Sequence, residues 1–245
     1  MKHILLIIHV LFSALAFAQP AEWFEEANKL YQQQNFAEAQ ILYDSIVASG
    51  YQHPETFYNL GNVHYRQGNV GLAILNYERA LKLDPSDQDA QHNLELARQR
   101  TVDEFNVLPT PPLRRVFNDV AAILSAGAWT VLALIAFFLA LVSALLFLFK
   151  NRSSVLLTAF IAGLILGLMF EGFAYGTHIL EAEEYAIVTA ANTYVKSAPA
   201  DGGTDLYILH EGTKVKVLER FEGWEKVKLP DGKLGWVVVS DMETI

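Results

Sequence analysis

The chain has 245 residues, of which 52% are hydrophobic, yet it carries a net charge of −9, so apolar and polar stretches must be segregated along it. Residues 19–105 hold 6 basic and 13 acidic residues (−7), residues 181–245 hold 7 and 12 (−5), and the remainder is +3; neither polar region offers the basic stripe that nucleic acid requires. The absence of cysteine excludes thiolate catalysis, thiolate metal sites and disulfides.

Residues 1–18 read as a secretory signal peptide. Lys2 and His3 precede an apolar run from Ile4 to Ala16, and Ala16-Phe17-Ala18 supplies small residues at the third-last and last positions before a cleavage point. The chain beyond Ala18 is therefore expected to be exported from the cytoplasm.

Residues 19–104 repeat at a spacing of 34: Trp23 recurs as Phe57, Ala27 as Gly61, Tyr31 as Tyr65, Ala39 as Ala73 and Tyr43 as Tyr77. Small residues let the two helices of each copy approach, and the large aromatics fill the space between layers. The copies, 20–53 and 54–87, resemble tetratricopeptide repeats, and the stretch from about 87 to 100 reads as a capping helix. That resemblance implies a concave face with Phe24, Asn28, Tyr31, Tyr58, Asn62, Tyr65 and Arg66 as a protein-binding groove, where aromatics and amides suit a peptide segment. A carboxylate clamp of the kind some repeat modules carry is not expected, since Phe24 stands where one of its lysines would. A spacer or dimer contact is the plainer alternative for such a short array.

Residues 105–125 open with the Pro-rich break Pro109-Thr110-Pro111-Pro112. Beyond it Val116, Val120, Ala121 and Leu124 share a helical face beside Arg114 and Arg115. This is a candidate interfacial helix, or a polar linker.

Residues 126–149 and 154–175 are two runs of the length needed to cross about 30 Å of hydrocarbon. The turn 150–153 between them carries Lys150 and Arg152, which places it in the cytoplasm and both flanking regions outside, in agreement with the leader. Gly163 and Gly167 form a GxxxG pair suited to close helix packing, and Glu171 is expected at the outer boundary as an interfacial carboxylate.

From 183 to 245 the pattern changes to short alternating runs: Ala186–Val188, Thr193–Val195, Leu206–Ile208, Lys214–Leu218, Trp224–Leu229 and Gly235–Val238, punctuated by glycine turns. Gly223-Trp224 and Gly235-Trp236 resemble the bacterial SH3 family, some of whose members bind cell-wall peptide or glycan. Both tryptophans are expected to pack rather than to touch ligand.

No histidine pair has metal-ligand spacing, and no nucleophile elbow, P-loop or dinucleotide fingerprint occurs, so neither catalytic, cofactor-binding nor metal residues are expected. The fold class is therefore multi-domain: an all-α repeat domain, a two-helix transmembrane hairpin and an all-β SH3-like barrel. The order of these modules resembles the BatE-type proteins of the Bacteroides aerotolerance operon. That resemblance implies a bacterial inner-membrane scaffold with both folded domains in the periplasm and partners among Bat proteins, including those with von Willebrand A domains. A cell-envelope sensor binding peptidoglycan through its barrel is the alternative.

Overall fold

A computed structural model describes residues 20–106 and 109–245, so the expected leader lies outside the described residues. The chain divides into two compact units: the repeats together with the C-terminal sheet, and the segment from 109 to 183.

In the first unit, helix α1 covers 20–32. It is followed by α2 (Phe36–Ala48), α3 (Pro54–Gln67), α4 (Val70–Leu83) and α5 (Gln88–Arg98). Two of the helix starts have a plain local cause. Pro54 opens α3 at a position whose N–H would have no helical partner, and Asp87 caps α5 by accepting from the N–H groups of Asp89 and Ala90 at 3.0 Å. Inside the stack Ala27, Ala39, Tyr43, Ile46, Leu60 and Val63 form one apolar cluster, and Ala73, Ile74, Leu75, Tyr77, Leu94 and Ala97 contribute to the next. Gly61 is indispensable to this packing: a Cβ there would lie 2.7 Å from the Tyr77 ring.

The C-terminal region forms a seven-stranded antiparallel sheet in the order β3-β2-β6-β5-β4-β1-β7. Its strands are β1 (Glu184–Val188), β2 (Asn192–Lys196), β3 (Asp205–His210), β4 (Lys214–Phe221), β5 (Trp224–Lys228), β6 (Leu234–Val238) and β7 (Met242–Thr244). All six expected strands are present. The seventh is too short for an alternating pattern to show, and it pairs with β1 through Val188 and Met242. Ala186, Val188, Val195, Leu209, Val215, Val227 and Val237 fill the core. Trp224 is buried, whereas Trp236 is half-exposed with the Lys226 ammonium 5.7 Å from its ring centroid.

The repeats and the sheet pack on each other. Ile187 of β1 is fully buried among Ala73, Ile74, Leu94 and Ala97, so the sheet covers the apolar end that α4 and α5 would otherwise expose. Around this contact the pairing is polar and dense. Glu78, 8% exposed, accepts from Arg98 at 2.6 Å and from Lys214 at 2.8 Å, which leaves neither carboxylate oxygen unpaired. Arg79 donates to Glu243 and to the Thr244 carbonyl, and Lys82 to the main-chain oxygen of Ile245. Beyond α5, Asp103 accepts from the His210 N–H at 2.8 Å and from the Thr213 hydroxyl at 2.5 Å, and it lies 2.7 Å from the His210 ring. Burial pushes the Asp103 carboxyl upward, but these donors outweigh it and hold the group below its ordinary value.

The second unit contains α6 (Pro112–Ala121), α7 (Ala126–Phe149) and α8 (Ser154–Glu181). The last two, of 24 and 28 residues, are long and apolar enough to cross a membrane; α8 runs six residues beyond the span 154–175. They pack through small residues: a Cβ on Gly163 would meet Ala140 at 2.9 Å, and one on Gly167 would strike the Phe137 ring. The Ser143 hydroxyl donates across the pair to the Leu156 carbonyl at 2.8 Å. Trp129 packs on Phe170 and Phe173, which sets Glu171, exposed on α8, level with the indole.

Candidate protein-binding groove

Within the repeats one hydrogen-bond motif occurs twice, 34 residues apart. In the first copy the Tyr43 hydroxyl donates to Asn28 Oδ1 at 2.6 Å, and Asn59 Nδ2 donates to the same oxygen at 3.0 Å. In the second, Tyr77 and Asn93 donate to Asn62 Oδ1, each at 2.8 Å. Each motif ties the second helix of a repeat, the first helix of the same repeat and the first helix of the next into one contact. Burial pushes both phenols far above the ordinary tyrosine range, so they act as hydrogen-bond donors and not as ionisable groups.

The second copy floors a cleft of about 460 Å³ lined by Tyr31, Tyr58, Asn62, Tyr65, Arg66, Tyr77, Asn93 and Leu96. Five of the seven expected groove residues therefore meet: Tyr31, Tyr58, Asn62, Tyr65 and Arg66. Phe24 packs edge-on against Tyr43, and Asn28 is held in the first relay; both stand outside this lining. Three lining residues lay beyond the expected set. Tyr77 reads as core from its position in the repeat, and Asn93 and Leu96 belong to the helix read only as a cap. Asn93 is nonetheless 34 residues from Asn59, so continuing the period into the third helix identifies it.

Chemically, the cleft offers donors and ring faces. Both lone pairs of Asn62 Oδ1 are engaged, so the remaining hydrogen-bonding capacity of that amide is its Nδ2 group. The Tyr31 hydroxyl beside the exposed Arg66 guanidinium holds that group's pKa above its ordinary value. Arg100, just past α5, sits 4.1 Å from the Tyr65 ring centroid and fixes that aromatic wall. No carboxylate is among the lining residues, although the repeat region as a whole is strongly acidic. Behind the wall, His64 is buried with no hydrogen-bond partner on Nδ1, and burial pushes its pKa down, opposed by Asp44 and Glu243.

No curated protein matches the chain. Among solved structures it is similar to the first TPR of Spaghetti (RPAP3) bound to an HSP90 peptide. That likeness has 22% identity and a TM-score of 0.32, and it covers 33% of this chain and 64% of the other. The tetratricopeptide repeat family model matches residues 54–87 and the bacterial SH3 domain model residues 191–243. The chain thus joins two non-catalytic kinds of binding domain, a tetratricopeptide repeat and a bacterial SH3 domain, through one well-packed contact.

Proposed function

We propose that this protein is a non-enzymatic, membrane-anchored adaptor whose repeat cleft holds a segment of a protein partner. In this reading α7 and α8 cross the bacterial inner membrane, with Lys150 and Arg152 on the cytoplasmic side and both folded modules in the periplasm. The cleft carries the proposal. Four tyrosine rings, an amide with free donors and a guanidinium converge on about 460 Å³ of open space, and their backs are fixed by the relay and by Arg100. Rigid aromatic and arginine side chains supply contact area at little entropic cost, and they dominate measured protein interfaces. The order of modules supports placing this adaptor in a Bat-type aerotolerance complex, with partners bearing von Willebrand A domains.

The test is purification of the tagged full chain from native membranes in mild detergent, comparing wild type with Tyr65→Ala, Arg66→Ala. These two residues stand outside the Tyr77-Asn62-Asn93 relay, so the stack stays folded. Each truncation of an interface anchor costs on the order of 1–2 kcal/mol, and the pair should lower partner recovery roughly tenfold or more. Equal recovery of membrane proteins from both forms would defeat the groove reading. It would shift weight to the barrel, where half-exposed Trp236 and exposed Tyr194 suit a peptidoglycan ligand, checked by co-sedimentation of the full chain with purified cell wall.

A further inference from the structure

The segment before the hairpin is tied to it by buried hydrogen bonds and an aromatic contact. The Ala121 carbonyl, at the end of α6, accepts two buried hydrogen bonds, from Trp129 Nε1 at 2.9 Å and from the Thr177 hydroxyl at 2.7 Å. One turn earlier the Phe117 ring stacks near Phe173, with centroids 5.3 Å apart, and it occupies the space that a side chain at Gly176 would need, where a Cβ would lie 2.5 Å from it. Thus α6 is a third packed helix of this unit and not a linker.

Its depth can be fixed by counting residues. A helix rises about 1.5 Å per residue, so about 30 Å of hydrocarbon measured along α8 from Ser154 ends near Phe173. Trp129, whose indole favours the boundary between acyl chains and headgroups, packs on that same Phe173 at 5.0 Å. Both routes give one level, and the residues that hold α6, namely Trp129, Phe173, Gly176 and Thr177, lie at that level or just outside it.

The rest of α6 is sharply two-sided. Phe117 and Ala121 face the hairpin, while Leu113 and Val116 are 83% and 60% exposed, and Ile123, just past the helix end, is 69% exposed. At 3.6 residues per turn Leu113, Val116 and Val120 fall within an arc of about 60°, and Arg114, Arg115, Asn118 and Asp119 occupy the opposite side.

We propose that α6 is an in-plane membrane anchor: Leu113, Val116 and Ile123 seat in the acyl boundary of the leaflet around Trp129, and Arg114 and Arg115 engage lipid phosphates. The inference rests on the reading of α7 and α8 as membrane spans. The occupant is lipid because the exposed apolar side begins at the level where the hairpin itself leaves the hydrocarbon. The two adjacent guanidiniums, opposed on this helix only by Asp119, complement an anionic headgroup layer.

The native chain contains no cysteine, so each single-cysteine variant of the full-length protein carries one label. An environment-sensitive dye is placed at Val116→Cys, at Asp119→Cys and, mid-span, at Leu139→Cys, in vesicles of phosphatidylcholine with or without phosphatidylglycerol. Val116 is expected to give blue-shifted emission, quenched more strongly by a shallow than by a deep lipid-borne quencher. Leu139 should show the reverse depth order, and Asp119 should read as water. Arg114→Gln, Arg115→Gln should abolish any strengthening of the Val116 signal by phosphatidylglycerol. Val116 in water with Leu139 in lipid overturns the anchor and leaves the spans intact; a blue-shifted Val116 that no lipid quencher reaches overturns it in favour of a protein cover. Leu139 in water overturns the span reading and the anchor together.

Discussion

The two repeats share one frame and differ in what is hung on it. Tyr43, Asn28 and Asn59 in the first, and Tyr77, Asn62 and Asn93 in the second, make the same three-residue contact with distances of 2.6–3.0 Å. The relay is therefore how this stack closes, whatever it binds. Among the many positions at which the second repeat departs from the first in the 34-residue register, two buried ones bear on its packing: Gly61 stands for Ala27, and His64 for Leu30. The second is also the repeat whose relay floors the cleft and whose second helix meets the C-terminal sheet. Both of these substitutions fall in the repeat that does something more than stack.

Breaking that difference at the glycine should have the largest effect. In Gly61→Val the added Cβ alone would lie 2.7 Å from the Tyr77 ring, and the two further methyl groups have no clear space to enter. Overpacking of this kind costs about 3 kcal/mol, against about 1 kcal/mol for Ala27→Gly, which merely loosens a helix interior. Thermal unfolding of the detergent-solubilised chain distinguishes the two. Equal losses would mean that the approach of Tyr77 to α3 is not what requires glycine.

The relay itself is sharpened by Tyr43→Phe and Tyr77→Phe. Each removes one of two donors to a partly buried amide oxygen, and each should cost about 1 kcal/mol. Stability will not separate them, but function should. Of the two hydroxyls, that of Tyr77 helps hold Asn62 in the cleft and that of Tyr43 does not, so only Tyr77→Phe is expected to reduce partner recovery. A matching reduction from Tyr43→Phe would extend the binding surface back to Phe24 and Asn28.

Period and alternation made the architecture readable. The 34-residue register located both repeats and their aromatic core; two apolar runs around a basic turn located the hairpin; alternation located six strands. It was the contacts at long separation that no local pattern could carry. Arg79 pairs with Glu243 across 164 positions, and Asp103 with His210 across 107, and neither has a motif to announce it. In the cleft, Tyr31, Tyr58, Asn62, Tyr65 and Arg66 were legible through the resemblance to tetratricopeptide repeats, which places them on the concave face. Tyr77 was hidden because a core aromatic with a hydroxyl does two jobs: the ring packs while the oxygen reaches the groove. Arg100 was hidden because it acts from beyond its helix, on Tyr65.

The smallest expected effect concerns pH, and it tests the second departure. His64 is buried, and burial pushes its pKa below the ordinary 6.5 despite the opposing fields of Asp44 and Glu243. Below about pH 6.5 the unfolded chain then binds a proton that the folded chain refuses, so stability falls as pH drops from that point toward the folded pKa, and is flat above it. Asp103 contributes in a separate, more acidic window, since its folded carboxyl is already held below the ordinary 3.8. His64→Leu restores the residue found at this position of the first repeat. It should leave stability near neutral pH unchanged or raised, and should remove the loss measured by denaturant unfolding at about pH 5 relative to about pH 7.5. A wild-type protein equally stable at both values would show that the imidazole gains a partner or solvent on protonation, and that the second repeat tolerates a charge where the first holds a leucine.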